Sequence, residues 1–235
     1  MCLKRIHFSP AQISANLTKL ESDFITNGGQ WEEFRLGSLF EVHSSKKIFH
    51  ANQIKQIYED EQKDTFPYMV RSTLNNGIRG YINENKDFLN PPNTLSFAQD
   101  TFSVFYQDKP YFTGNKVKVL IPRFAHFNKT TALFIVAIYQ KSLAHLTWGV
   151  GSTTQSIQEI NIKLPTQEGK IAFDFMESFI KELELERIKE LEAYLQATGL
   201  NNYKLTDKEK QTLDIFTNSN SMQSLEWQEF KIGDV

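Results

Sequence analysis

Between Pro67 and Tyr81 the chain reads Pro-Tyr-Met-Val-Arg-Ser-Thr-Leu-Asn-Asn-Gly-Ile-Arg-Gly-Tyr, gathering guanidinium, carboxamide and hydroxyl groups around an Asn-Gly turn. A guanidinium forks onto the two acceptors of guanine, a carboxamide onto the donor and acceptor of adenine, and a hydroxyl onto phosphate or either base edge. Arg71, Ser72, Thr73, Asn75, Asn76 and Arg79 therefore form a set able to read a nucleic-acid groove. Asn76-Gly77 is also a hairpin-turn pair, which would place Arg71 and Arg79 on neighbouring strands. Two further polar stretches, Thr113-Gly-Asn-Lys-Val-Lys118 and Gly149-Val-Gly-Ser-Thr-Thr-Gln155, add Lys116, Lys118, Ser152, Thr153, Thr154 and Gln155. Lys46 and Lys47 join them as cations that a phosphate backbone would attract. Asn, Gly and Ser also make turns wherever strands end, so residue types alone leave a plain loop reading open.

Other fragments of chemistry are incomplete. Asn90-Pro-Pro-Asn93 resembles the Asn-Pro-Pro-aromatic motif that grips a flipped base, but Asn93 stands where the stacking aromatic belongs. No Gly-rich strand-to-helix turn for S-adenosylmethionine precedes it. Glu84-Asn-Lys86 and Glu168-Gly-Lys170 have the Glu-x-Lys spacing of metal nucleases without a convincing Asp partner. His7, His43, His50, His126 and His145 lack ligand spacing with carboxylates, and Gly149-Val-Gly151 lacks the lysine of a phosphate loop. Cys2 is the only cysteine, which excludes an internal disulfide and a cysteine-based zinc site. Neither a catalytic centre nor a metal site is expected.

The elements that must position these residues follow from the 235-residue chain, of which 40% is hydrophobic and 23% charged, the composition of an ordinary globular protein. The longest apolar run, Ala132 to Tyr139, is too short to span a membrane, and residues 1–30 lack a signal-peptide pattern, so a cytoplasmic chain is expected. The net charge of −2 conceals an uneven distribution. Residues 66–150 carry nine basic and four acidic groups, whereas residues 166–235 carry eight basic and fourteen acidic. A mildly basic globule suited to a polyanion thus precedes an acidic arm that a polyanion would repel.

Ser9-Pro10 predicts a helix start and Asn27-Gly28-Gly29 its end. From Trp31 to Pro165, the runs Phe34–Val42, Thr94–Phe97, Phe102–Tyr106, Val117–Ile121, Ala132–Tyr139 and Ile157–Leu164 have strand-and-turn texture. Gln53–Tyr58 and Thr130–Leu143 are alternatively helical. The reading is an α+β fold: one mixed α/β domain over residues 31–165, preceded by a helical segment (1–30). A long coiled-coil-type helix follows (166–200), then a short helix and the opening of a repeat (201–235). The long helix carries Met176, Phe179 and Leu183, then Ile188, Leu191 and Leu195, as an apolar stripe, with Gly199 at its C-cap and Thr206-Asp-Lys-Glu209 opening the next helix. At 1.5 Å per residue its run without Gly or Pro, Ile171 to Ala197, would be roughly 40 Å long as a helix. Its charged remaining faces suit a partner helix.

Trp31-Glu-Glu-Phe-Arg-Leu-Gly-Ser-Leu39 matches Trp227-Gln-Glu-Phe-Lys-Ile-Gly-Asp-Val235, so the sequence is expected to end as a second copy of the motif begins. Taken with Pro67–Gly77, Asn93-Thr-Leu-Ser-Phe, Phe105-Tyr-Gln107, Thr113-Gly-Asn and Ile162-Lys-Leu-Pro165 leading into Phe175–Ile180, the chain resembles DNA-specificity subunits of restriction–modification systems. The resemblance is to the BcgI-like beta and type I S subunits, over about residues 17–235. It implies a non-catalytic target-recognition domain that holds double-stranded DNA. The long helix would dock methyltransferase or restriction subunits, and those partners would carry S-adenosylmethionine and metal. Family members typically hold two recognition domains and this chain one, so a homodimer through the stripe, reading a bipartite target, is expected. The alternatives are a DNA methyltransferase or nuclease with an unrecognised site, and a coiled-coil adaptor that binds protein only.

Overall fold

The computed structural model describes residues 15–144, 153–200 and 204–218. Helix α1 (Ala15–Thr26) ends at the Asn27-Gly28-Gly29 cluster, where Gly28 takes φ 85°. The Ser9-Pro10 start, Ser152 and the second motif copy at Trp227–Val235 lie outside the described residues. Strand β1 (Gln30–Arg35) runs into one helical turn, α2 (Leu36–Leu39), and then into β2 (Phe40–Ser44). The continuous strand expected over Phe34–Val42 is corrected for a simple reason. Leu36 and Leu39 are both buried, and a three-residue spacing shares a side on a helical turn but not on a strand. Gly37 allows that turn to close against a second short helix over Thr154–Gln158, because a Cβ there would lie 2.9 Å from the Gln158 Cβ.

Three sheets are seen among the described residues. In one, β3 (Phe66–Met69) pairs antiparallel with β4 (Ile78–Ile82) and parallel with β7 (Phe112–Thr113). The second is antiparallel in the order β2, β8 (Val117–Pro122), β5 (Thr94–Ala98), β6 (Ser103–Gln107). The third joins β1, β9 (Asn161–Gln167) and β10 (Lys170–Ile171), with Trp31 opposite Pro165 and Phe34 opposite Ile162.

Of the two readings open for Ala132–Tyr139, the helix is realised as α3 (Lys129–Leu143). The Asn128 side chain accepts from the Thr131 amide at 3.0 Å while the Thr131 hydroxyl accepts from the Asn128 amide at 3.0 Å, a reciprocal cap. The helix then buries Ala132, Ile135, Tyr139 and Leu143 at 3–4 spacing. Gln53–Tyr58 is not helical, because Tyr58 exchanges backbone hydrogen bonds with Tyr81 of β4 (2.9 and 2.8 Å) and is held extended there. The run at Ile157–Leu164 divides between the Thr154–Gln158 helix, here α4, and β9.

The chain divides into two compact units, one reaching Leu185 and the other starting at Glu186. The first unit's main core joins α1, α3, β5, β9 and the first turns of α5 (Phe173–Thr198). Phe24 stacks on Phe175 with ring centroids 4.0 Å apart, and Met176 and Ile180 are buried beside them. The amino-terminal helix and the start of the long helix are therefore parts of the globule's core. In the second unit α5 ends with Gly199 at φ 72°, where the Leu200 amide reaches back to the Leu195 carbonyl at 2.9 Å. Helix α6 (Asp207–Asn218) opens on the expected box, Thr206 and Glu209 each receiving the other's backbone amide (3.3 and 2.7 Å). No helix among the described residues is long and apolar enough to cross a membrane.

Candidate nucleic-acid interface

The β3–β4 connection is longer than a two-residue hairpin. Residues 70–77 make a braced loop in which Asn75, Asn76 and Gly77 all adopt left-handed backbone (φ 46°, 50° and 78°). Asn and Gly are the residues that tolerate this region best, so the turn signal is real although its geometry differs. The loop is stiffened from several sides. The Val70 amide donates to the Gly77 carbonyl (2.8 Å), the Leu74 amide to the Ser72 hydroxyl (3.0 Å), and the Ser103 hydroxyl to the Ser72 carbonyl (3.1 Å). Gln107 Nε2 reaches the Asn76 carbonyl at 3.4 Å, and Asn75 Nδ2 the Ile78 carbonyl at 3.2 Å.

Asp100, in the β5–β6 turn, is where three loops meet. Its carboxylate pairs with Arg71 from the 70–77 loop and receives Lys116 Nζ from the β7–β8 loop at 3.2 and 3.3 Å. A backbone bond from the Gln99 amide to the Lys116 carbonyl (3.0 Å) fastens the same two turns. The Asp100 side chain is 23% exposed, and its two cations face outward at 39% and 50%. Arg79 on β4 is exposed and shares with Arg71, Asp100, Asn115 and His50 the rim of a cavity of about 460 Å³, which buried Phe49 and Tyr68 also line. Burial pushes the Tyr68 hydroxyl above its ordinary pKa, with the Arg79 charge opposing, so Tyr68 is a neutral donor to the Phe49 carbonyl at 2.7 Å.

The sequence set thus separates by role. Arg71, Arg79 and Lys116 come together, with exposed Thr73, Asn75 and Asn76 on the adjoining loop, while Ser72 chiefly braces it. Lys46 and Lys118 belong to a different patch: Lys118 Nζ contacts Ser44 Oγ at 2.8 Å, and Lys46 Nζ the Asp87 carbonyl at 3.3 Å. Lys47 lies over the Phe49 and Phe88 rings at 4.8 and 4.7 Å. Thr153 is occupied as the N-cap of α4, accepting from the Ser156 amide at 3.1 Å; Thr154 is that helix's first residue, and Gln155 contacts Glu159 at 3.3 Å. On the long helix, Met176 is buried and Phe179 half-buried in the globule, which withdraws both from the expected stripe. Leu183 and Leu195 are half-buried, and Ile188 and Leu191 are exposed.

Sequence reasoning missed Asp100, His50, Asn115 and Leu74. Leu74 carried a signal, being a lone aliphatic residue in a polar loop, and at 75% it is the most exposed large apolar side chain described. Asp100 carried none, because its partners lie 29 and 16 residues away along the chain.

The incomplete motifs have structural uses. Asn90 is buried and its amide donates to the Tyr111 carbonyl at 3.0 Å, while Asn93 accepts the Tyr106 hydroxyl at 2.6 Å. Lys86 pairs with Asp64 at 2.9 Å, and Glu168-Gly169, with φ 53° and 72°, forms the turn between β9 and β10.

Against this geometry, the type I restriction modification DNA specificity domain matches residues 29–193. The chain belongs to that family. Among curated proteins it is similar to the specificity subunit S.BcgI of a type II restriction enzyme from Heyndrickxia coagulans, 21% identical over 212 residues. The match covers 88% of this chain and 54% of that one. Among solved structures it shares the fold of the type I S subunit from M. genitalium, with a TM-score of 0.50 at 18% identity, covering 79% of this chain and 47% of that one. The chain spans about half the length of these relatives. The α+β specificity-domain fold with a long helix is therefore the architecture of this protein, and three of its loops converge on Asp100 with Arg71 and Lys116 bonded to it.

Proposed function

We propose that this chain is a non-catalytic specificity subunit that binds double-stranded DNA and brings methyltransferase or restriction subunits to a bipartite target in the cytoplasm. The observation that carries the reading is that Arg71 and Arg79 line one cavity, Lys116 joins Arg71 on Asp100, and the loop that carries Arg71 also exposes Thr73, Asn75 and Asn76. Such a surface offers forked donors for base edges and cations for phosphates together. The charge asymmetry supports it: residues 66–150, which contribute Arg71, Arg79 and Lys116, are basic, and residues 166–235, which contain α5 and α6, are acidic. S-adenosylmethionine and metal then belong to the partner subunits, and α5 is the docking element. Two copies pair through Ile188, Leu191 and Leu195, supported by the exposure of the first two.

The test is a set of binding titrations on duplex DNA at several salt concentrations. Arg71→Ala should cost about 1–3 kcal/mol on the preferred sequence and relax the preference at one position. Lys118→Ala should weaken all sequences alike. Equal losses on preferred and random DNA for both variants would remove the base-reading role from the 70–77 loop.

A further inference from the structure

We infer that Asp100 is a positioning residue for selectivity: it holds Arg71 and Lys116 side by side and restrains their attraction to arbitrary phosphate, so that the face favours base edges over backbone. The inference rests on the DNA-binding reading and adds to it. Asp100 is the only residue to which both cations are bonded among the described residues. It stands on a turn tied to each neighbouring loop by a separate bond, Ser103 to Ser72 at 3.1 Å and Gln99 to Lys116 at 3.0 Å. Those bonds fix the loops without the carboxylate, so its charge is not needed merely to close the structure.

The electrostatic consequence follows from counting charges. Arg71, Lys116 and Asp100 together carry one net positive charge, although two cations face outward. A phosphate approaching them must compete with a carboxylate already in place, and a loosely placed phosphate gains little from doing so. A guanine edge asks for something else, two donors in a fixed fork. A guanidinium held on one side by a carboxylate loses little further freedom when its remaining N–H groups meet such an edge. Arg79 has no ion-pair partner among the described residues and so acts as a full cation on the same rim.

Removing the charge while keeping the shape, Asp100→Asn, should free about one additional effective cation. The slope of log affinity against log salt on a random-sequence duplex should steepen by about 0.9, and affinity at 0.15 M salt should rise about fivefold. Motifs selected from a randomised duplex library should lose information at one position or more. Asp100→Glu, which retains the charge, should keep the wild-type slope. In the otherwise unaltered protein, Lys116→Gln should reduce the slope by clearly less than Arg79→Gln, because only Lys116 is already matched by an acid. This comparison does not depend on the folding of the Asp100 variants.

The probe is a labelled random-sequence duplex with the full chain, and thermal melting follows the fold. Slope and selected motif both unchanged in Asp100→Asn, or equal losses for Lys116→Gln and Arg79→Gln, would leave Asp100 only a structural brace and overturn the inference. A steeper slope with an unchanged motif would overturn it as well. In each of these cases wild-type binding persists and the DNA reading stands. A wild-type chain with no affinity for the duplex at low salt would overturn both.

Discussion

Replacing Ile188 and Leu191 together by Glu tests whether the long helix pairs two copies of the chain, and the structure sets the strength to expect. Ile188, Leu191 and Tyr194 are 52%, 56% and 42% exposed, and Leu195 is half-buried. Covering the open part of each gains about 1 kcal/mol, part of the 1.5–3 kcal/mol for a complete transfer from water. Four residues on each of two helices then supply about 8 kcal/mol, against at least about 4 kcal/mol for lost freedom on association. The remaining ~4 kcal/mol corresponds to roughly millimolar dissociation. The stripe without Met176 and Phe179 is therefore too small to hold a dimer at micromolar concentration by itself. Two copies on adjacent half-sites face each other at an effective concentration that is also roughly millimolar, so pairing should appear on DNA and not before it. Sedimentation should find the free chain monomeric at micromolar concentration. A duplex with two inverted half-sites should bind two copies cooperatively. The double Glu variant should lose the cooperativity and retain binding to a single half-site. A dimer that forms without DNA and survives both Glu substitutions, or independent binding of two copies, would refute this use of the helix.

Leu74→Ser should leave the melting temperature nearly unchanged, since the side chain is 75% exposed, yet weaken binding to the preferred duplex if Leu74 meets a base face or a thymine methyl group; an unchanged affinity would exclude that contact. Asn128→Ala should destabilise the protein by about 1 kcal/mol through loss of the α3 cap, measured by urea unfolding. Burial raises the pKa of Tyr111 and Tyr139, so above about pH 10 the unfolded chain releases protons that the native chain keeps. The native state then binds more protons than the unfolded one. Stability should fall with rising pH, by about 1.4 kcal/mol per pH unit for each tyrosine, and Tyr139→Phe should remove one share of that slope. A flat urea midpoint between pH 10 and 11 would contradict the burial of both.

Local signals in the sequence were read correctly where the chain makes its own structure. The Gly199 cap, the Thr206–Glu209 box and the hairpin of Thr94–Ala98 with Ser103–Gln107 all depend on neighbours close along the chain. Errors occurred where a distant partner decides. Gln53–Tyr58 is not helical because Tyr58 is bridged to Tyr81, and Met176 and Phe179 are absorbed into the core with Phe24, Phe134 and Phe175. An apolar stripe at helical spacing shows that a face will be covered, but not by what. The same limit applies to the interface. Arg71 and Arg79 stand out in the sequence by their chemistry, whereas the acid paired with Arg71 does not, because the meeting of three loops is a property of the sheet order.

The Trp31–Leu39 motif shows why the family was easier to read than its contacts. Trp31 lies 6.2 Å from Phe134 and 6.4 Å from Phe175 between ring centroids, and Leu36 and Leu39 are buried. Gly37 makes room for Gln158, and the whole segment turns the chain from the β1–β9 sheet into the β2 sheet. Every one of these duties is packing, and packing is the same whichever bases are read. The proposed reading residues have the opposite constraint: on that proposal a different target requires a change at Arg71 or Arg79, which line the cavity, or at exposed Asn75 or Asn76, while the loop anchors at Ser72, Ser103 and Gln107 remain. Exchanging exposed loop residues between specificity domains should therefore transfer preference only when those anchors, and the carboxylate at Asp100, are kept.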